Sequence, residues 1–116
     1  MSTSASAPQS PHLTNNLKQI SLRPDQVKAF CQRHHIRRLS LFGSILRADF
    51  NCKSDVDFLV EFLPDQTPGL IRLAGMENEL TDMIGRKADL RTPADLSRYF
   101  RQTVIDEAVT QYVKPR

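Results

Sequence analysis

Apolar residues recur along this chain with two spacings, and the change from one to the other marks out its elements. After Pro24-Asp25, the residues Val27, Phe30 and Cys31 form the stripe of an amphipathic helix running to about His34, with proline in its first turn. Ile36 to Phe42 is a compact run that predicts a strand. It leads into Gly43-Ser44, where a short helix is expected to open and to stop near Ala48-Asp49. A polar loop, Asp49 to Ser54, precedes a second strand over Asp55 to Phe62. Pro64 to Pro68 predicts a turn, with Thr67 as a cap and Pro68 in the first turn of the next helix. That helix is marked by Leu70, Leu73, Met76, Leu80 and Ile84 and ends at Gly85. Arg86 to Arg91 predicts a third strand, broken by Pro93. Ala94 to Tyr112 is expected to be mostly helical, in two pieces, with Tyr99, Phe100 and Tyr112 turned to the core.

Met1 to Ile20 is rich in Ser, Thr, Ala, Pro, Asn and Gln and is expected to be a disordered tail. Residues 21–116 then make one domain. The order helix-strand-helix-strand-helix-strand-helix predicts an α+β fold, a small mixed sheet flanked by helices.

The chemistry concentrates where a strand ends in Gly43-Ser44. Glycine lets backbone approach a ligand closely, and exposed N–H groups with the Ser44 hydroxyl can hold a phosphate at a helix N-terminus. Asp55 and Asp57 lie two apart on the next strand, so a period of two places both carboxylates on one face. Hard oxygen ligands beside a phosphate-binding turn suit Mg²⁺, which keeps waters and takes a few carboxylates together with substrate phosphates. On the third strand Asp89 alternates with Ala88 and Leu90 and points to the polar face. If that strand lies beside the second, three carboxylates converge. The plainer alternative is a half-buried strand ending in solvated aspartates.

Gly43-Ser44, ten intervening residues and Asp55-Val56-Asp57 resemble the signature of the nucleotidyltransferase superfamily to which polymerase β belongs. The stretches Phe42 to Phe50, Ser54 to Phe62 and Gly85 to Leu90 are similar to the small bacterial and archaeal minimal nucleotidyltransferases, and the likeness covers roughly residues 21–113. It implies a palm-like fold, two Mg²⁺ ions and ATP as co-substrate. It further implies that Asp55 and Asp57 bind metal, and that Asp89 binds the catalytic metal and deprotonates or orients the acceptor. Gly43 and Ser44 would contact the β- and γ-phosphates. Arg47 either neutralises phosphate charge or is an ordinary exposed arginine. Ala48 stands where many relatives have glycine.

Composition narrows the partners. The net charge of +3 is uneven: residues 1–50 carry seven Lys/Arg (Lys18, Arg23, Lys28, Arg33, Arg37, Arg38 and Arg47) against Asp25 and Asp49. No aromatic residues interleave with these charges as a nucleic-acid stacking platform requires, so a solvated face that helps attract ATP is expected. No apolar stretch is long enough to span a bilayer, and no secretory signal is evident. Cys31 and Cys52 lack zinc-site or disulfide spacing, which points to a reduced cytoplasm. His34 and His35 have no ligand partners at suitable spacing, and His34 is placed to meet a helix C-terminal dipole.

A domain this small has no room for a module that holds an acceptor, so a partner must present one. Minimal nucleotidyltransferases commonly act as antitoxins beside a small helical HEPN-family ribonuclease toxin, moving AMP from ATP onto a toxin tyrosine. The resemblance therefore implies a Mg²⁺-dependent protein adenylyltransferase antitoxin, with ATP and such a toxin as partners, and without membrane or direct nucleic-acid binding. Two other readings stay open. One is a binder that silences its partner by occlusion, and the other is a small-molecule nucleotidyltransferase.

Overall fold

A computed structural model describes residues 11–115. The first ten residues of the expected tail lie outside the described residues. The rest of that expectation is corrected. Leu13–Asn16 forms a short helix (α1) continued by a 3₁₀ turn over Leu17–Gln19. Leu13 enters the core, and Leu17, Ile20 and Leu22 pack against it. Four apolar side chains spaced three, four or two apart were enough to order a stretch whose composition looked disordered.

The next helix, α2 (Pro24–Arg33), starts with proline at its first position and Asp25 in its first turn, and buries Val27, Phe30 and Cys31. His35, at φ 56°, turns the chain into β1 (Ile36–Phe42). A 3₁₀ turn over Gly43–Leu46 follows, shorter than the expected helix, and then the Asn51–Ser54 loop. The second strand, β2, begins at Val56 and runs to Phe62, one residue later than expected. The following helix, α3, spans Leu70–Ile84. Its N-cap is Gly69 with no side-chain cap bond, so Thr67 does not cap it. Gly85 ends it in the left-handed conformation, and its N–H bonds Thr81 O at 3.0 Å. The third strand, β3, is trimmed to Ala88–Arg91. Thr92 and Asp95 then form a reciprocal cap around a 3₁₀ turn at Pro93–Asp95.

The C-terminal region departs most from expectation. Only Arg101–Glu107 is helical there (α4), and Val109–Val113 is a strand, β4. Its alternation of Val, Thr, Gln, Tyr and Val suits a pleated edge better than a helix. Four strands make one mixed sheet in the order β3-β2-β1-β4. The β1–β2 and β1–β4 pairs are antiparallel, and β2–β3 is parallel, joined by α3 as crossover. Tyr112 packs against the core as expected, whereas Tyr99 is 85% and Phe100 53% exposed.

Alternation along β2 sends Val56, Phe58 and Val60 into the core with Phe30, Met76, Leu80 and Ile84 from α2 and α3. Asp57, Leu59 and Glu61 therefore face the other side of the sheet. The outer edge of β3 is closed by α3. Thr81 Oγ1 accepts from Ala88 N–H at 3.0 Å, and a Glu77 carboxylate oxygen accepts from Leu90 N–H at 2.7 Å. Those two bonds cover an edge that would otherwise offer unpaired donors. Cys31 is a buried free thiol whose burial pushes its pKa up to about 12, and Cys52 is exposed. No helix among the described residues is long and apolar enough to cross a membrane.

Candidate active site

The strand β1 delivers its chain directly to Gly43. That residue has φ +76°, and the turn that follows folds back over the start of β2. A side chain here is doubly excluded. The backbone conformation is one that L-residues rarely adopt, and a Cβ would collide with the Asp57 carboxylate. The next residue closes the contact. Ser44 Oγ donates to Asp55 O at 3.2 Å, and the Ser44 backbone N–H bonds the Asp57 carboxylate. The turn and the carboxylates therefore form one unit.

Asp57 and Asp89 are register partners across the parallel β2–β3 pair, and the rule of alternation puts both on the face away from α2 and α3. Asp55 lies just before β2 and is exposed. Burial and then the charges of Asp89 and Asp55 push the Asp57 carboxyl up to about 6, against smaller opposing effects from Arg91 and the Ser44 N–H. Three carboxylates close enough for two of them to raise the third's pKa make a locus of negative potential.

Cations answer part of that charge. The Arg91 guanidinium contacts Asp89 at 3.1 Å, and that hydrogen-bonded pairing raises the arginine's own pKa. Lys87 Nζ lies 3.9 Å from Asp55. Among the described residues no group of three or more carboxylates, imidazoles or thiols is gathered closely enough to hold a metal ion by itself. Mg²⁺ does not require one: it takes a few protein oxygens and completes its shell with water and phosphate. Asp55, Asp57 and Asp89 offer hard oxygens of the kind that ion takes, and the repulsion at Asp57 is only partly offset by Arg91.

Arg47 follows the turn and is exposed; its backbone, not its side chain, is tied into the structure, through Arg47 O. Arg86, just ahead of β3, acts as a bridge. Its guanidinium donates to Asn51 O and Ser54 O at 2.9 Å each and lies 5.1 Å from the Phe50 ring centre. It thereby holds the loop that leads into Asp55. His34 Nε2 pairs with Glu79 Oε1 at 2.8 Å, a link between α2 and α3 remote from the carboxylates. Sequence reasoning missed Arg91 as the partner of Asp89. The period of two along β3 offered that signal, since residues 89 and 91 share a face.

Comparison with known proteins agrees with this arrangement. Residues 24–111 match the family model described as a nucleotidyltransferase domain. The protein adenylyltransferase MntA of Thermococcus cleftensis is 32% identical over 82 residues, covering 71% of this chain and 81% of that protein. A solved structure named as a minimal nucleotidyltransferase has 28% identity and a TM-score of 0.62, covering 90% of this chain and 98% of its own. A toxin–antitoxin crystal structure with AMP-PNP shares the fold at a TM-score of 0.65 and 18% identity, over 80% of this chain and 75% of that one. With a family model matched over residues 24–111 and a relative 32% identical over 82 residues, the chain belongs to the nucleotidyltransferase-domain family.

Proposed function

We propose that this protein is a Mg²⁺-dependent protein adenylyltransferase that acts as an antitoxin, moving AMP from ATP to a tyrosine hydroxyl of a small helical HEPN-family ribonuclease toxin. The observation that carries the reading is the closure of Gly43-Ser44 onto Asp57, with Asp89 in register beside it. Support for the acceptor class comes from the similarity to the protein adenylyltransferase MntA, and for the partner from the fold shared with a chain of a toxin–antitoxin structure.

Asp55, Asp57 and Asp89 would hold the metal, which when bound supplies positive charge to the triphosphate and to the attacking oxygen. In this reading the Ser44 hydroxyl, 3.2 Å from Asp55 O, turns toward the β- and γ-phosphates, and Gly43 leaves room for them. Arg47 neutralises phosphate charge from the exposed side of the turn. The tyrosine oxygen attacks the α-phosphorus, the bond to the bridging oxygen breaks, and pyrophosphate leaves. Asp89 orients the hydroxyl and receives its proton, while Arg91 fixes the carboxylate's direction. Most of the rate in such transfers comes from positioning and charge stabilisation, which a small palm can supply if its partner brings the acceptor.

The test is intact-mass spectrometry of a cognate toxin incubated with the protein, ATP and Mg²⁺. AMP-sized additions located on tyrosine are expected with wild type and absent with Asp57→Asn. Full labelling by Asp57→Asn overturns the site. Protection of toxin-expressing cells by that variant at equal expression would replace transfer with occlusion.

A further inference from the structure

The described residues that are both buried and polar are Asn16 and Ser40, and Asn16 is spent on the active-site turn. Its carboxamide Nδ2 donates to Ile45 O and to Arg47 O, each at 2.8 Å. One carbonyl lies inside the Gly43–Leu46 turn and the other just beyond it, so one side chain braces the end of the turn with both of its hydrogens. The start of the turn is braced by Ser44 on Asp55 and Asp57. Between these supports, Arg47 N–H closes the end of the turn on Ser44 O at 2.9 Å. A 3₁₀ turn of four residues is a short piece with poorer hydrogen-bond geometry than an α-helix, so its orientation depends on outside partners.

Asn16 is itself well placed to serve. It sits in α1, with its own N–H bonded to His12 O at 2.9 Å, and is 5% exposed beside Leu13, which is 4% exposed and belongs to the core. This segment precedes residues 24–111, the stretch the family model matches. We propose that Asn16 is a positioning residue of the transferase site, holding the Gly43–Leu46 turn at the distance from Asp55 and Asp57 that nucleotide binding needs. The proposal rests on the adenylyltransferase reading above. Its physical basis is that a 1 Å displacement of a positioning element can slow a transfer by about 100-fold.

The experiment uses the full chain with Asn16→Leu, which keeps most of the volume and donates nothing, and Asn16→Gln, which keeps the carboxamide. Mg·ATP titration by calorimetry should show affinity weakened by roughly 10-fold in Asn16→Leu and partly restored in Asn16→Gln. Without nucleotide, amide hydrogen exchange at residues 45–47 should be faster in Asn16→Leu by about 10-fold, while the β1 and β2 amides keep their protection. Val109→Ala, a core change on the far edge strand, should lower the Tm and leave ATP affinity alone, as a purely structural loss does. If wild type binds Mg·ATP and Asn16→Leu binds it within about twofold, or if exchange at 45–47 is unchanged, the role of Asn16 is overturned. If wild type does not bind Mg·ATP, the reading of the site falls and takes this proposal with it.

Discussion

Gly43 and Gly85 share the same φ of +76° and stand at corresponding joints, one where β1 meets its turn and one where α3 gives way to β3. Their surroundings differ completely. At Gly85 nothing lies within 4 Å of where a Cβ would be, whereas at Gly43 the Asp57 carboxylate fills that space. One glycine answers to backbone conformation alone, as a helix C-cap. The other answers to conformation and to a functional group. The same residue in the same conformation thus marks stability in one region and chemistry in the other.

The strongest way to break that comparison is to add one methyl group at each joint. Gly43→Ala should drive Asp57 away from the turn and lower transfer by roughly 100-fold or more, read by labelled-ATP transfer to a toxin. Far-UV circular dichroism should remain near wild type. A Gly43→Ala protein with ordinary activity would mean that the two joints are equivalent.

Asp89→Asn tests the other side of the acidic pair. Losing the group that orients the acceptor should lower kcat by about 100-fold while Mg·ATP affinity changes little, since such a group matters mostly in the transition state. Equal losses in both would place Asp89 in nucleotide binding instead.

A smaller effect should appear in stability against pH, measured with a chelator present. The folded pKa of Asp57 is raised to about 6 from 3.8, so between these values the folded state binds more protons than the unfolded one. Stability contributed by this group is therefore gained as pH falls from 6 toward 4 and lost as pH rises. Asp57→Asn, neutral throughout, should be more stable than wild type at pH 7.5 by about 1 kcal/mol, a value discounted for partial exposure, with the gap closing near pH 4. A gap independent of pH would dissociate the effect from the charge. No corresponding trend is expected from the Gly85 joint.

The smallest effect belongs to Gly85→Ala. An alanine held at positive φ should cost about 1 kcal/mol of stability, read by urea denaturation, and leave KM and kcat unchanged. Gly85→Asn should cost less. Any loss of transfer in these variants would show that the α3–β3 joint also shapes the site.

Much of this contrast was legible before any coordinates. Gly85 follows a stripe of Leu80 and Ile84, and Gly43-Ser44 precedes Asp55-x-Asp57 by a telling interval. The bounds of β1 and α2 also follow from local pattern. What did not follow was the identity of partners. Arg86 as brace of the Asn51–Ser54 loop depends on segments brought together by α3, whereas Arg91, two residues from Asp89 on the same strand, was within reach of the pattern and was overlooked. That the Gly43-Ser44 turn closes onto the Asp57 carboxylate was likewise not written in the local sequence.

The two long helices, α2 and α3, were determined by the sequence itself because their hydrogen bonds close within four residues and their apolar stripe is written in consecutive turns. The faces of Asp57 and Asp89 were legible likewise, since alternation fixes the face of a strand wherever it lies, but their meeting came from the parallel β2–β3 register. Only tertiary structure decided that Val109–Val113 is a strand. Its backbone finds its partners at Arg38 to Leu41, some seventy residues earlier, a pairing that no local window contains. The same holds for Asn16, whose polar side chain looked like part of a disordered tail until the turn near Ile45 and Arg47 came within 2.8 Å of it. Local sequence sets which conformations a segment can adopt, and burial against distant residues decides which of them is kept.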